Sequence, residues 1–156
     1  MPNWLHLFVN LAYHLALALW VGGTIVLGAL VAPALFRGLP RPDAGAIFGP
    51  TLRRFARIRV GAIVVAILAA AIKFALWERG STVWISVRWG ALFVMAAAVV
   101  YEIAYLERAL EARRVHLTPV TPDSDPHRRA FNVLHKRAEG LMKATLIAAL
   151  LAMLLS

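Results

Sequence analysis

The sequence predicts an all-α integral membrane protein, a four-helix up-down bundle whose two termini both lie on the extracytoplasmic side. Hydrophobic residues make up 61% of the 156 residues, and the mean hydropathy is +0.71. The first 36 residues contain no Asp, Glu, Lys or Arg, although ~20 apolar residues suffice for a helix to cross the bilayer core. Short polar segments separate four apolar blocks, which predicts a single transmembrane domain over residues 1–156.

Basic residues orient the predicted spans. We expect spans at about 4–36, 60–77, 85–106 and 134–155, joined by loops at 37–59 and 107–133 that hold most of the 17 Lys and Arg residues. The positive-inside rule places both loops in the cytoplasm. We therefore interpret the net charge of +9 as a signal for membrane orientation. The expected partner is the lipid bilayer of the cytoplasmic (inner) membrane, and no nucleic acid is expected.

The first span carries polar side chains along one face. Asn3, His6, Asn10 and His14 recur at helical spacing, and Tyr13 lies beside them. Lipid cannot satisfy such groups, so this face should contact protein or a water-filled cavity. It is the candidate ligand site of the chain.

The second and third spans should form an antiparallel hairpin. A turn is expected around Pro40 and Pro42 before the second span, and a short turn at 78–82 joins the second span to the third. Lys73, near the end of the second span, is expected to extend its ammonium to the membrane interface. The aromatic residues Trp77 and Trp84 flank this turn, as in a membrane-interface belt.

The fourth helix should begin at Pro126 with Asp125 as its N-cap. Counting ~1.5 Å per residue from aligned helix ends puts Glu102 and Lys143 at similar depth. We therefore predict an intramembrane charge pair between Glu102 and Lys143, since an unpaired charge there would be costly. Such a pair either fixes helix packing or relays a proton or cation.

Metal, cofactor and catalytic sites are not indicated. The chain has no cysteine, and His6 and His14 are eight residues apart, or ~12 Å along a helix, too far to share one ion. His14 with an unidentified partner is the one candidate metal or haem ligand. No catalytic motif is present, so we predict no enzyme. No cofactor is predicted, although haem or copper stays an alternative.

Small residues in the first span, Gly22, Gly23 and Gly28, should let another helix approach closely. That helix belongs either to the same chain or to another one. Four short spans enclose little space, so transport would require an oligomer. The expected partners are therefore copies of the chain or a larger membrane complex.

Several stretches together resemble the transmembrane-protein-205-like family, whose bacterial members are small four-helix membrane proteins of largely unknown function. The stretches are Trp20-Val21-Gly22-Gly23, Pro33-Ala34-Leu35-Phe36-Arg37-Gly38-Leu39-Pro40, Ala44-Gly45, Phe48-Gly49, Leu106-Glu107 and Phe131-Asn132-Val133-Leu134-His135. The chain departs from the family pattern at Ala138 and Met142, where the family has polar residues. A shorter resemblance, over residues 14–23 and 54–57, is to copper-resistance D-type membrane proteins.

Three functional hypotheses follow. The resemblance implies a transport or metal/drug-tolerance role, because an animal relative is associated with resistance to platinum drugs. The glycine-rich face instead favours a structural accessory subunit of a larger membrane complex. The shorter resemblance implies a haem- or copper-binding redox protein.

Overall fold

A computed structural model describes residues 3–78, 82–116, 122 and 124–156. These residues fold into six α-helices and two π-helical segments, and no strand occurs among them. The helices are α1 (Asn3–Ile25), α2 (Ala32–Gly38), α3 (Arg41–Leu76), α4 (Val83–Tyr101), α5 (Glu107–Arg114) and α6 (Pro126–Leu154). The π-helical segments are Val26–Val31 and Glu102–Leu106.

Three helical rods are long and apolar enough to cross a bilayer. They are Asn3–Gly38, Pro42–Leu76 and Val83–Arg113. The first and third rods each pass through a π-helical segment without leaving helical backbone angles. These rods indicate a multi-pass membrane protein.

The predicted loop at 37–59 is wrong for most of its length. The chain leaves helical geometry only around Leu39 and Pro40, and α3 starts at Arg41. Pro42 fits the first helical turn, where its missing N–H would have no partner in any case. Pro50 lies inside the helix and removes one backbone hydrogen bond without ending it. All of this basic segment from Arg41 onward therefore belongs to α3.

α6 begins as predicted, at Pro126. The Asp125 carboxylate accepts hydrogen bonds from the backbone N–H groups of His127 and Arg128, at 2.7 and 3.3 Å, which satisfies two of the free donors at the helix start. α6 packs against α1 and α4, and α3 packs against both of those helices as well. Its charged first half keeps α6 from counting among the three apolar rods.

Alanine dominates the core between these helices. Buried residues include Ala66 and Ala70 of α3, Ala91 of α4 and Ala149 of α6. Such small side chains let helices approach closely in a bilayer, where packing has to stabilise helix association. The outer surface is apolar, and large side chains such as Phe93 are mostly exposed. That distribution suits a protein surrounded by lipid.

The bundle has two ends. The turn end holds the connection between α3 and α4, at residues 77–82. The basic end lies opposite and holds α5, the start of α3 and the start of α6. The edge of the His6 ring contacts the Trp77 ring, with centroids 4.9 Å apart, so the start of α1 lies at the turn end.

Candidate functional site

Two buried cations form a cluster with a tyrosine and a partly buried acid at the turn end, which we call the turn-end site: Tyr13, Lys73, Glu78 and Arg88. The Arg88 side chain, from the second turn of α4, is only 2% exposed. Its two terminal nitrogens donate to the two Glu78 carboxylate oxygens at 2.7 and 2.5 Å. This bidentate pair joins the end of α3 to the start of α4.

Lys73 points into the bundle, which corrects the expectation that its ammonium reaches the membrane interface. The residue is 6% exposed. Its Nζ lies 5.2 Å from the centroid of the Tyr13 ring, which is cation–π distance. The Tyr13 hydroxyl donates to the Ala152 carbonyl at 2.9 Å, and so holds the ring between α3 and α6. Within the part of the chain that the structure describes, no carboxylate lies within 4 Å of the Lys73 ammonium.

Positive charge exceeds negative charge at the turn end. The sequence places Lys73, Arg79 and Arg88 there but only one acid, Glu78; Arg79 lies outside the described residues. The hydrogen bonds from Arg88 hold the pKa of Glu78 below its usual value, so this carboxylate is ionised and its charge is already matched by Arg88. The other seven acids belong to the segments of the basic end: Asp43, Glu102, Glu107, Glu111, Asp123, Asp125 and Glu139. The sequence therefore places no second acidic residue at the turn end that could neutralise the charge of Lys73.

The predicted polar face of α1 divides around this site. Tyr13 is fully buried, His6, Asn10 and His14 are half-buried, and Asn3 is exposed. Asn10 lies one turn from both histidines: its amide is 3.2 Å from the His6 ring nitrogens, and its backbone carbonyl is 2.8 Å from His14 Nδ1. Tyr13 is thus the member of this face that belongs to the turn-end site.

A second buried charge lies toward the basic end, and we call its surroundings the Arg59 site: Trp20, Phe55, Arg59 and Glu102. The Arg59 guanidinium donates to the Glu102 carboxylate at 2.5 Å. The guanidinium carbon lies 5.5 Å from the Trp20 ring centroid and 5.4 Å from that of Phe55. Glu102 opens a π-helical segment, a distortion that often accompanies functional sites.

The predicted charge pair between Glu102 and Lys143 is wrong. Glu102 instead pairs with Arg59, and Lys143 pairs with Glu139 at 3.1 Å on its own helix. Arg59 had been assigned to a loop, but α3 carries it into the bundle. Lys73 is 14 residues from Arg59 along α3, and Arg88 is likewise 14 residues from Glu102 along the third rod. In an antiparallel hairpin this equal separation sets Arg59 opposite Glu102.

The three glycines that the sequence predicts to allow close helix approach have different surroundings. A Cβ atom on Gly23 would overlap the Phe55 ring, so α3 approaches α1 closely there. Nothing lies within 4 Å of a Cβ position on Gly22, and Met142 would be in ordinary contact with one on Gly28. Close packing inside the described bundle therefore depends on Gly23.

The histidines do not converge on a metal site. Among the described residues, no three His, Asp or Glu side chains come together in a group that could hold an ion. His14 Nε2 lies 2.8 Å from the Ser156 hydroxyl. The rings of His116 and His127 lie 4.7 Å apart near the basic end. Among the described residues, His14 therefore belongs to no group of three side chains that could hold a copper ion.

Sequence reasoning missed all three cations of the two sites: Lys73, Arg88 and Arg59. Only the first two had a usable sequence signal, which was their position on the side of the membrane that the positive-inside rule leaves poor in cations. Arg59 gave no such signal because it adjoins a basic segment of ordinary topological type.

The chain matches a protein family over much of its length. The family described as "Domain of unknown function (DUF4149)" matches residues 15–116, about two thirds of the chain. No curated protein and no solved structure matches the chain. The matched region contains Lys73, Glu78 and Arg88 of the turn-end site and the whole Arg59 site, whereas Tyr13 lies two residues before it.

Proposed function

The chain belongs to the DUF4149 family, whose function is unknown, and we propose that it is a non-enzymatic membrane protein that binds an anionic solute at the turn-end site. The observation that supports this is the buried Lys73, which has no acid of its own nearby. A buried charge is costly unless it is compensated, and the charge of Glu78 is already matched by Arg88. An anion beside Lys73 would supply the missing charge.

Within the family, we propose the transmembrane-protein-205-like type, on the resemblance of residues 33–40 and the segments that follow. The proposed membrane is the cytoplasmic one, with the basic end inside the cell and both termini outside. α6 would then be the fourth span. On this topology the turn-end site faces the extracytoplasmic side, where a transport or tolerance role would begin with capture of the solute.

An apolar layer separates the turn-end site from the Arg59 site. Leu17, Leu92 and Met95 are almost completely buried in the bundle core. The two sites are ~21 Å apart along α3, as judged from the 14 residues between Lys73 and Arg59. We therefore separate anion binding, which one chain would perform, from transport, which would need rearrangement or an oligomer.

Anion binding is tested on the full chain in nanodiscs of neutral phosphatidylcholine. Thermal unfolding is followed by tryptophan fluorescence in chloride, sulfate or benzoate, with gluconate keeping the ionic strength constant. A ligand at 100 times its Kd stabilises the folded state by about 2.7 kcal/mol, so we expect at least one of these anions to raise the Tm. Lys73→Gln should abolish that rise, and Lys73→Arg should retain part of it.

Lys143→Gln is the matched control, because it removes one cation from an exposed pair far from the site. It should leave the anion effect unchanged. If no anion raises the Tm at constant ionic strength, or if Lys73→Gln responds as the wild type does, the proposal is wrong. Flux of the best-binding anion into proteoliposomes then tests transport separately, and a flux that persists in Lys73→Gln would rule out transport through this site.

A structural role in an oligomer is the second candidate. A groove of about 270 Å³ lies between the first rod and α6, lined by Thr24, Gly28, Glu139 and Lys143 among others. The side chains of Glu139 and Lys143 are 51% and 68% exposed, and small residues favour close helix approach in a membrane. A second copy of the chain would bring the same carboxylate and ammonium to a two-fold interface, which supports a homo-oligomer over an unrelated subunit.

Cysteine cross-linking tests this candidate, since the natural chain contains no cysteine. Ala29→Cys, in the groove, should form a disulfide-linked dimer on mild oxidation. Phe93→Cys, on the exposed face of α4, should stay monomeric. Equal cross-linking of both variants, or of neither, would rule out this interface, and co-purification in mild detergent would then separate a larger complex from a monomer.

Haem or copper binding is the third candidate and has the least support. His14 Nε2 is already hydrogen-bonded to Ser156, and that contact would have to change for this nitrogen to ligate a metal, whereas the bond from Nδ1 to the Asn10 carbonyl would stay. The visible spectrum and the copper content of the purified protein test it directly.

A further inference from the structure

We propose that the groove between α5 and α6, at the basic end, binds the head group of an acidic phospholipid. The groove has a volume of about 530 Å³, which is within the usual range for small-molecule sites. It lies where α5 continues beyond the π-helical segment and packs beside the first half of α6. This inference is independent of the turn-end site, which lies at the other end of the bundle.

The groove has an apolar floor. Ala109 of α5 and Ala130, Val133 and Leu134 of α6 line it. Val133 is half exposed there, although it precedes the apolar part of α6. Tyr105 also lines the groove and joins this floor to the exposed apolar surface of the third rod. An acyl chain could therefore run from the bilayer surface onto the floor.

Basic residues surround this floor. Arg113, His116 and Arg137 line the groove, and no acidic residue is among its lining residues. Arg113 Nη1 lies 3.5 Å from the ring of His127, another basic residue. In the described part of the chain, neither Arg113 nor Arg137 has a carboxylate within 4 Å.

Three acids near these residues in the sequence are engaged elsewhere, and Asp123 lies outside the described residues. Glu111 lies 3.9 Å from Arg53, Glu139 pairs with Lys143, and the Asp125 carboxylate caps α6. As far as the described residues go, the groove therefore presents positive charge with no carboxylate partner over an apolar surface. Basic pockets between membrane helices at the cytoplasmic side have this character when they hold acidic lipid head groups. The apolar floor favours a lipid over a soluble phosphate, which would use only the cations.

The test uses the full chain, delipidated in a neutral detergent and titrated with lipid by native mass spectrometry. Phosphatidylglycerol and phosphatidylcholine with the same acyl chains are compared, and glycerol phosphate serves as a soluble competitor. We expect tighter binding of phosphatidylglycerol and little competition. Arg113→Gln with Arg137→Gln should weaken its binding roughly 30-fold, the effect of two cations near a lipid phosphate.

Arg108→Gln with Lys136→Gln is the matched control, because it removes the same charge from exposed positions of the same two helices outside the groove. It should leave lipid binding almost unchanged. Val133→Asp keeps both arginines and places a negative charge on the floor, so it should weaken acidic-lipid binding as well. The proposal fails if the control pair loses as much affinity as the groove pair, if Val133→Asp binds as the wild type does, if the two lipids bind equally, or if glycerol phosphate competes fully.

Discussion

Replacing Glu102 with Gln should destabilise the protein far more than replacing Lys143, the residue with which the sequence paired it. The Arg59 side chain is 5% exposed and that of Glu102 is 17% exposed, so water screens their interaction only weakly. Removing one partner of a buried pair leaves an uncompensated charge and costs about 3–5 kcal/mol. Because Gln keeps a hydrogen-bond acceptor, we expect about 3 kcal/mol for this variant.

The aromatic rings on either side hold the guanidinium in place. Trp20 and Phe55 each lie at cation–π distance from Arg59, and such contacts contribute about 0.5–2 kcal/mol each. Arg59 therefore stays buried when Glu102 loses its charge, and the cost is not avoided by a swing of the side chain into solvent. Moreover, the Nε–H of Arg59 and the indole N–H of Trp20 are buried and have no acceptor among the described residues, so the site has no spare acceptor to replace the carboxylate.

The assay is equilibrium unfolding in mixed detergent micelles, followed by tryptophan fluorescence, for two double-mutant cycles. Glu102→Gln with Arg59→Met should show a coupling of about 2–3 kcal/mol, because the double variant no longer buries a lone charge. Glu102→Gln with Lys143→Met should show none, and Lys143→Met alone should cost under ~1 kcal/mol because its pair is exposed. Coupling to Lys143 instead of Arg59, or a cost below ~1 kcal/mol for Glu102→Gln, would refute the described pairing.

Two further predictions concern helix packing and pH. Gly23→Ala should destabilise the protein by about 1–3 kcal/mol, because the added Cβ would overlap the Phe55 ring. Gly22→Ala should be neutral or slightly stabilising, because the space around Gly22 is open. Unfolding in micelles measures both variants, and equal effects would contradict the described packing. The hydrogen bonds from Arg88 lower the pKa of Glu78 from its ordinary value of 4.5. The stability that the ionised Glu78 carboxylate contributes should therefore be complete above pH 4.5. It should disappear as the pH falls through the lowered pKa. Wild type should therefore exceed Glu78→Gln in Tm at neutral pH, and the difference should shrink in acid; a difference that does not depend on pH would contradict this.

Helix positions were predictable where one physical rule acted alone. The start of α6 follows from Asp125 and Pro126, because an N-cap carboxylate and a proline in the first turn both satisfy or remove free N–H groups. The antiparallel pairing of α3 and α4 follows from the short turn between them. The boundary of α3 was not predictable in this way, because prolines and glycine favour a turn over the whole of 37–50, and only helix packing selects the break at Leu39 and Pro40.

The partner of Glu102 depended on that boundary. With Arg59 in a loop, Lys143 was the nearest cation at the estimated depth. With α3 starting at Arg41, Arg59 lies opposite Glu102 in the hairpin and has an aromatic lining on both sides. An error of about twenty residues in one helix end therefore changed the partner of a buried charge, although the prediction that Glu102 needs a partner followed from electrostatics alone.

The turn-end site shows why counting Lys and Arg residues in each segment was not enough to identify a candidate binding site. The positive-inside rule compares numbers of Lys and Arg, and three cations around a turn are too few to disturb the predicted orientation. Their significance depends on burial. Lys73 and Arg88 are almost completely buried, and Glu78, the one acidic side chain that the sequence places at that end, is paired with Arg88. The Lys73 ammonium could extend to the interface, but it lies over the Tyr13 ring instead and therefore loses hydration. We infer that the anion proposed for this site compensates that loss.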